Sequence, residues 1–164
     1  MPWSRSEGDE LADLYDRLGP GLYRYALMIL ADPVGAEDVV HDVFLALARR
    51  RGAGIVTIDA YLKLAVRNGC YSVLRRRKRR PDAENDTTAR LEAAGDDDDP
   101  ANRLALGAAL GRLPPEQREV VHLKAFEGLT FQEIAGLTGE SINTVAGRYR
   151  YALDRLRAEL GDRR

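Results

Sequence analysis

Lys63, Arg67, Tyr71 and Arg75 stand four residues apart, and from Arg75 the chain runs on through Arg76-Arg77-Lys78-Arg79-Arg80. Residues at this spacing share one side of a helix. That side would offer cations that neutralise phosphates and a ring on which an unpaired base can stack. Near the other end, Ser141 precedes a segment whose outward positions begin with the small residues Ala146 and Gly147. Arg148, Arg150 and Tyr151 follow. Small residues permit close approach to a groove, and the arginines suit phosphates and base edges. A third pattern is the pair Asp38-x-x-His41 and Glu119-x-x-His122, the acid-x-x-His spacing of carboxylate-bridged di-iron bundles. That site needs two further inward glutamates, and these pairs fall in different modules, so a metal-bundle enzyme is the remote alternative. His41 is better placed facing a partner and His122 on a surface or half-buried. Cys70 falls on an apolar stripe and belongs in a core. No nucleophile, base and oxyanion donor can be assembled, so no enzyme and no cofactor is expected.

The elements that must carry these groups are helical throughout. Between Asp32 and Arg51, the apolar positions Ala36, Val40, Val43, Phe44 and Leu47 recur at helical spacing, with Asp32 as N-cap and Pro33 at the first helical position. Residues 59 to 80 repeat the pattern: Asp59 caps, and Leu62, Ala65, Val66, Gly69, Cys70 and Val73 form the inner stripe. Leu11 to Ala31 is also helical by pattern, with a break or kink expected at Gly19-Pro20-Gly21. Further on, Asp99-Pro100 opens a helix to about Arg112, and Pro114-Pro115-Glu116 opens another that ends near Gly128. Thr130 and Glu133 form a capping-box pair, and Gly139 ends that short helix. Ser141 caps the last one, whose inner stripe is Val145, Tyr149, Ala152, Leu153, Leu156 and Leu160. A short helix, a glycine turn and a longer basic helix make a helix-turn-helix.

Charge divides the 164 residues as sharply as the helices do. The net of −1 hides −6 over residues 1–48, +10 over 49–80, −7 over 81–102 and +2 over 103–164. Residues 83–99 hold Leu91 as their only large apolar residue and end in Asp96-Asp97-Asp98-Asp99, the composition of a solvated linker. The expected organisation is therefore all-α: a helical domain over 1–80, an acidic flexible linker over 81–99, and a helix-turn-helix domain over 100–164. The longest apolar run, Tyr25 to Ala31, falls far short of the roughly 20 residues of a membrane span. No secretory h-region follows Met1, so a cytoplasmic protein without membrane insertion is expected. A stand-alone helix-turn-helix regulator is the alternative function, but it would have no use for the basic and aromatic flank at 63–80.

Three stretches, AEDVVHDVFLAL at 36–47, YLKLAVRN at 61–68 and LPPEQREVVHLKAFEGLTFQEIAGLTGESINTVAGRYRYALDRLR at 113–157, together resemble bacterial RNA polymerase sigma factors of the extracytoplasmic-function group. The resemblance spans about residues 10 to 160 in the family's order. It implies a transcription initiation factor that binds core RNA polymerase and promoter DNA, with an anti-sigma factor as a further partner. Polymerase would be met by Glu37, Asp38, His41, Asp42 and Leu45. The minus-ten element would be melted and read by the loop at 52–58 and by Lys63, Arg67, Asn68, Tyr71, Arg75, Arg76 and Arg77. The minus-thirty-five element would be read by Ser141, Asn143, Thr144, Ala146, Gly147, Arg148, Arg150 and Tyr151, and the linker would run through the RNA exit channel. The chain departs from the family where His41 replaces a frequent glutamine, Tyr61 a tryptophan and Ser72 an aspartate. Ala146-Gly147 stands where a basic residue and a serine are common, so the usual base contacts do not transfer and the promoter sequence is not legible.

Overall fold

A computed structural model describes residues 5–50, 55, 57–80, 91 and 99–161, and every regular element among them is a helix. The chain forms two compact units, Met1–Asp86 and Thr87–Arg164. The expected linker lies outside the described residues except for Leu91 and Asp99. Leu91 is buried, which corrects the reading of that stretch as wholly solvated.

In the first unit, α1 (Arg5–Leu30), α2 (Pro33–Arg50) and α3 (Ile58–Arg79) pack on one another. Of the break or kink expected at Gly19-Pro20-Gly21, a break does not occur, for α1 continues through Pro20. A proline removes one backbone bond, whereas the turns that follow bury Leu22, Tyr25, Ala26 and Ile29, and burial of an amphipathic face supplies most of a helix's stability. A two-residue corner joins α1 to α2. Ala31 adopts the left-handed conformation at φ 52°, its amide donates to the Leu27 carbonyl at 2.7 Å, and Pro33 starts the next helix. Thr57, not Asp59, is the N-cap of α3. Its side chain makes no capping bond, and Asp59 sits in the first turn, where a carboxylate favours the helix dipole.

The core of this unit joins Tyr25 and Ile29 of α1, Ala36, Val40, Phe44 and Leu47 of α2, and Leu62, Val66 and Cys70 of α3. The sulfur of Cys70 lies 4.0 Å from the Ala26 carbonyl oxygen. Gly69 sets how closely α3 approaches α2, since a Cβ there would lie 2.9 Å from Val39 Cγ1.

The second unit contains α4 (Pro100–Gly111), α5 (Pro115–Val121), α6 (Phe131–Thr138) and α7 (Ile142–Leu160). Asp99 caps α4, its carboxylate accepting from the Ala101 amide at 2.9 Å. The helix expected to run to Gly128 changes at His122 into a π-helical turn, His122–Phe126, and Gly128 then turns the chain at φ 72°. Arg118 is almost fully buried. Its Nη1 donates to the carbonyls of Gly111 and Leu113 at 3.2 and 2.9 Å, satisfying oxygens that the end of α4 leaves open. His122 is buried as well, which corrects its expected surface or half-buried position. Its Nε2 lies 3.4 Å from a Glu127 carboxylate oxygen, and its ring stacks on Phe126.

Candidate functional site

The side of α2 that carries Ala36, Val39, Val40, Phe44 and Leu47 is committed to the core. One turn of a helix cannot bury both sides, so Glu37, Asp38, His41, Asp42 and Leu45 share the exposed one. Leu45 leaves 43% of its surface to solvent beside three carboxylates, an arrangement suited to a partner with cations around an apolar contact. Asp38 and His41 are exposed on α2, whereas Glu119 and His122 are buried in the other unit.

The basic run of α3 is not one surface. Val39, Val43, Gly69 and Val73 floor a groove of about 510 Å³ between α2 and α3, with Asp38 and Asp42 on one rim and Arg76 and Arg77 on the other. Arg77 is held there by Asp32, whose Oδ2 accepts from its Nη2 at 2.5 Å. Both side chains are largely withdrawn from solvent, at 25% and 16% exposure. Arg77, expected on the DNA-holding flank, thus ties the end of α3 to the start of α2.

The other flank of α3 keeps Lys63, Arg67, Tyr71 and Arg75 in file, with Asn68 and Arg75 exposed and the first three half-buried. The Arg67 guanidinium lies 4.6 Å from the centre of the Tyr71 ring, so the ring is presented already held by a cation–π contact. Lys63 Nζ sits 5.6 Å from the Tyr25 ring centre, and Arg75 donates to Ser72 Oγ at 3.0 Å. The expected minus-ten loop at 52–58 lies outside the described residues except for Ile55, Thr57 and Ile58. Its two ends are joined by a bond the sequence did not suggest, Arg50 Nη1 donating to the Tyr61 hydroxyl at 3.1 Å.

In the second unit the turn between α6 and α7 is built by caps. Thr130 and Glu133 bond reciprocally at 3.1 Å. The Thr130 backbone amide, and then its hydroxyl, hold the Glu133 carboxyl below its ordinary pKa. Gly139 ends α6 at φ 74°, a conformation glycine reaches without strain. The Ser141 hydroxyl then accepts from the Thr144 amide at 3.1 Å and donates to the Thr144 hydroxyl at 2.9 Å. Ser141 and Thr144 thus serve the helix start. Phe131 meets Tyr149 edge to face at 5.6 Å, with Lys124 Nζ above its ring, and this pins α6 to α7 and the π turn.

Val145, Ala152 and Leu156 bury the inner side of α7, leaving Asn143, Ala146, Gly147, Arg150 and Tyr151 on the outer side. Arg150 lies over the Tyr151 ring at 5.7 Å, and Tyr151 is 61% exposed. Arg148 turns back to Glu140 across the glycine turn with a 3.4 Å ion pair. Ile142, half exposed at the start of the helix, was not singled out by sequence. An apolar residue beside a cap reads as a hydrophobic contact of the fold unless the helix's azimuth is known.

Among the described residues no helix is long and apolar enough to cross a membrane. Two family models match the chain, Sigma-70 region 2 over residues 14–80 and Sigma-70, region 4 over residues 103–156. The RNA polymerase sigma factor CarQ of Myxococcus xanthus is 33% identical over 160 residues, covering 94% of this chain and 91% of that protein. An RNA polymerase sigma-E factor of Streptomyces avermitilis is 36% identical over 150 residues, covering 87% and 80%. The ECF RNA polymerase sigma factor SigM of Mycobacterium tuberculosis is 32% identical over 167 residues, covering 94% and 80%. Among solved structures, the sigma factor RpoE of Bartonella quintana, crystallised with the anti-sigma factor NepR, aligns with TM-score 0.71 and 25% identity over 93% of this chain and 99% of that one.

Proposed function

Because the chain belongs to the extracytoplasmic-function group of sigma-70 RNA polymerase factors, we propose a division of labour among its surfaces. It binds core RNA polymerase and directs it to specific promoters as a transcription initiation factor. The observation that carries this is the occurrence of region 2 and region 4, in that order, over nearly the whole length of full relatives. Glu37, Asp38, His41, Asp42 and Leu45 meet the polymerase through the exposed side of α2. Lys63, Arg67, Asn68, Tyr71, Arg75 and Arg76 hold the melted minus-ten strand, and Asn143, Ala146, Gly147, Arg150 and Tyr151 face the minus-thirty-five duplex. Ser141, Thr144 and Arg148 position that last helix.

The chain performs no bond chemistry of its own and takes no cofactor, since nucleotide addition belongs to the polymerase. Residues 1–80 and 100–164 act as separate modules, with 81–99 as the tether. It works in the cytoplasm, and an anti-sigma factor is a further partner, as the Bartonella relative's complex suggests. The test is reconstitution: purified chain added to core polymerase is expected to copurify with it and to start transcripts at defined promoters. Specific DNA binding with no affinity for core polymerase would instead identify a stand-alone helix-turn-helix regulator.

A further inference from the structure

Glycine inside a helix costs stability relative to alanine, because it loses more backbone freedom on folding and buries no side chain. The surroundings of such glycines differ along this chain: Gly19 and Gly21 flank Pro20 inside α1, where a Cβ would make only ordinary contacts at 3.8 and 3.9 Å. Gly69 has a reason inside the fold, the 2.9 Å clash that a Cβ would make with Val39 Cγ1. Gly35 has another, since a Cβ there would meet the Asp32 carboxylate at 2.6 Å. Gly147 has none. It lies in the body of α7 (Ile142–Leu160), past a fully made N-cap, and its φ is not positive. A Cβ built on it would meet nothing within 4 Å. Gly8 and Gly136 are also open, but Gly8 stands in the first turn of α1 and Gly136 in the last turn of the eight-residue α6, where helix ends relax the requirement.

Position completes the argument. Gly147 follows Asn143 by four residues and precedes Arg150 by three, so it is flanked on the outer side of α7 by an amide and a guanidinium, two groups suited to base edges. We infer that Gly147 is the point where promoter DNA closes onto the recognition helix, its missing side chain letting the helix backbone touch the duplex so that Asn143 and Arg150 reach the groove together. This rests on the reading of α7 as the minus-thirty-five reader. A methyl group at the point of contact would lift the helix and lengthen both flanking contacts, although in the free protein it would lie in open space.

Fold and binding must therefore respond with opposite signs to Gly147→Ala. The holoenzyme is first used to select an upstream sequence from a randomised duplex library, and the enriched duplex becomes the probe. Gly147→Ala is expected to raise the Tm of the chain by about 4 °C, the effect of removing one helix-interior glycine from a small unit. Affinity of its holoenzyme for the selected duplex should fall by about tenfold or more, as when one good base contact is lost. Gly136→Ala should leave affinity unchanged. Undiminished affinity in Gly147→Ala, a lowered Tm, or an equal loss in both variants overturns the inference while leaving the reading of α7 in place. Failure of the wild-type holoenzyme to enrich any upstream sequence overturns both.

Discussion

Whether Arg77 belongs to the fold or to the DNA surface can be decided by a double-mutant cycle with Asp32. The pair links residues 45 positions apart at 2.5 Å, with side chains 25% and 16% exposed. Exposed pairs contribute about 0 to 1 kcal/mol, and breaking a fully buried pair costs about 3 to 5. A pair withdrawn this far should show a coupling of about 1 to 2 kcal/mol, a factor of roughly 5 to 30 in an opening equilibrium. Asp32→Asn and Arg77→Met, singly and together, are compared by hydrogen exchange of α2 and α3 amides, which reports this unit apart from the other.

The same variants are then titrated with premelted promoter DNA in holoenzyme at several salt concentrations. Each lost phosphate contact lowers the slope of log affinity against log salt by about 0.7 to 0.9. Arg75→Met and Arg76→Met should each show that loss, and Arg77→Met should not. A coupling below about 0.5 kcal/mol, the scatter of independent sites, or a salt slope reduced by Arg77→Met as much as by Arg75→Met, would refute the structural role.

Charge reversal at Asp38 and Asp42 should weaken core binding at least tenfold, while thermal stability changes by only about 0.5 kcal/mol for each exposed site; unchanged copurification would remove the polymerase from this side of α2. Gly69→Ala should destabilise the first unit by about 1 to 3 kcal/mol through its clash with Val39, and adding Val39→Ala should recover part of that loss, an outcome read from urea midpoints. Thr130→Ala should cost about 1 kcal/mol by removing the capping box. In the wild type, Glu133 has a folded pKa below its unfolded value of about 4.5, so its contribution is complete above that value and is lost as pH falls through the folded one. Thermal melts of Thr130→Ala should accordingly lose less stability than wild type on acidification. Arg150→Ala should relax discrimination at one or two upstream base pairs by about 1 to 3 kcal/mol, a result read by competition among promoter variants; wild-type discrimination would end its base-reading role.

Caps and stripes made most helices legible in advance. Asp99, Thr130 with Glu133, and Ser141 all make the bonds their positions implied, because a cap is a contact between residues two or three apart. The buried side of α2 and α7 followed for the same reason, although Val39 is buried beyond the expected stripe and Val43, Tyr149, Leu153 and Leu160 are only half-buried. What sequence did not announce depends on contacts beyond the local period of a helix. Arg77 read as one cation among six, yet Asp32 claims it from 45 residues away. Arg148 read as one of the promoter-facing residues, and the turn also brings Glu140 within 3.4 Å of it. Pro20 was expected to break or kink α1 because propensity is local, whereas the burial that carries the helix past it unbroken is tertiary. His122 read as a surface or half-buried residue, because nothing in a local pattern announces that the helix turns π there.

The order of packing has a temporal consequence. α1, α2 and α3 pack on one another, and the helices of the second unit pack among themselves, so each unit builds its core from its own stretch of chain. Such short-range topologies fold in milliseconds or less. Synthesis is far slower: the 84 residues from Pro81 to Arg164 take about 4 to 17 s at roughly 5 to 20 residues per second. On the ribosome the N-terminal unit therefore has its tertiary structure complete, with the exposed side of α2 already formed, seconds before the last helix has been translated.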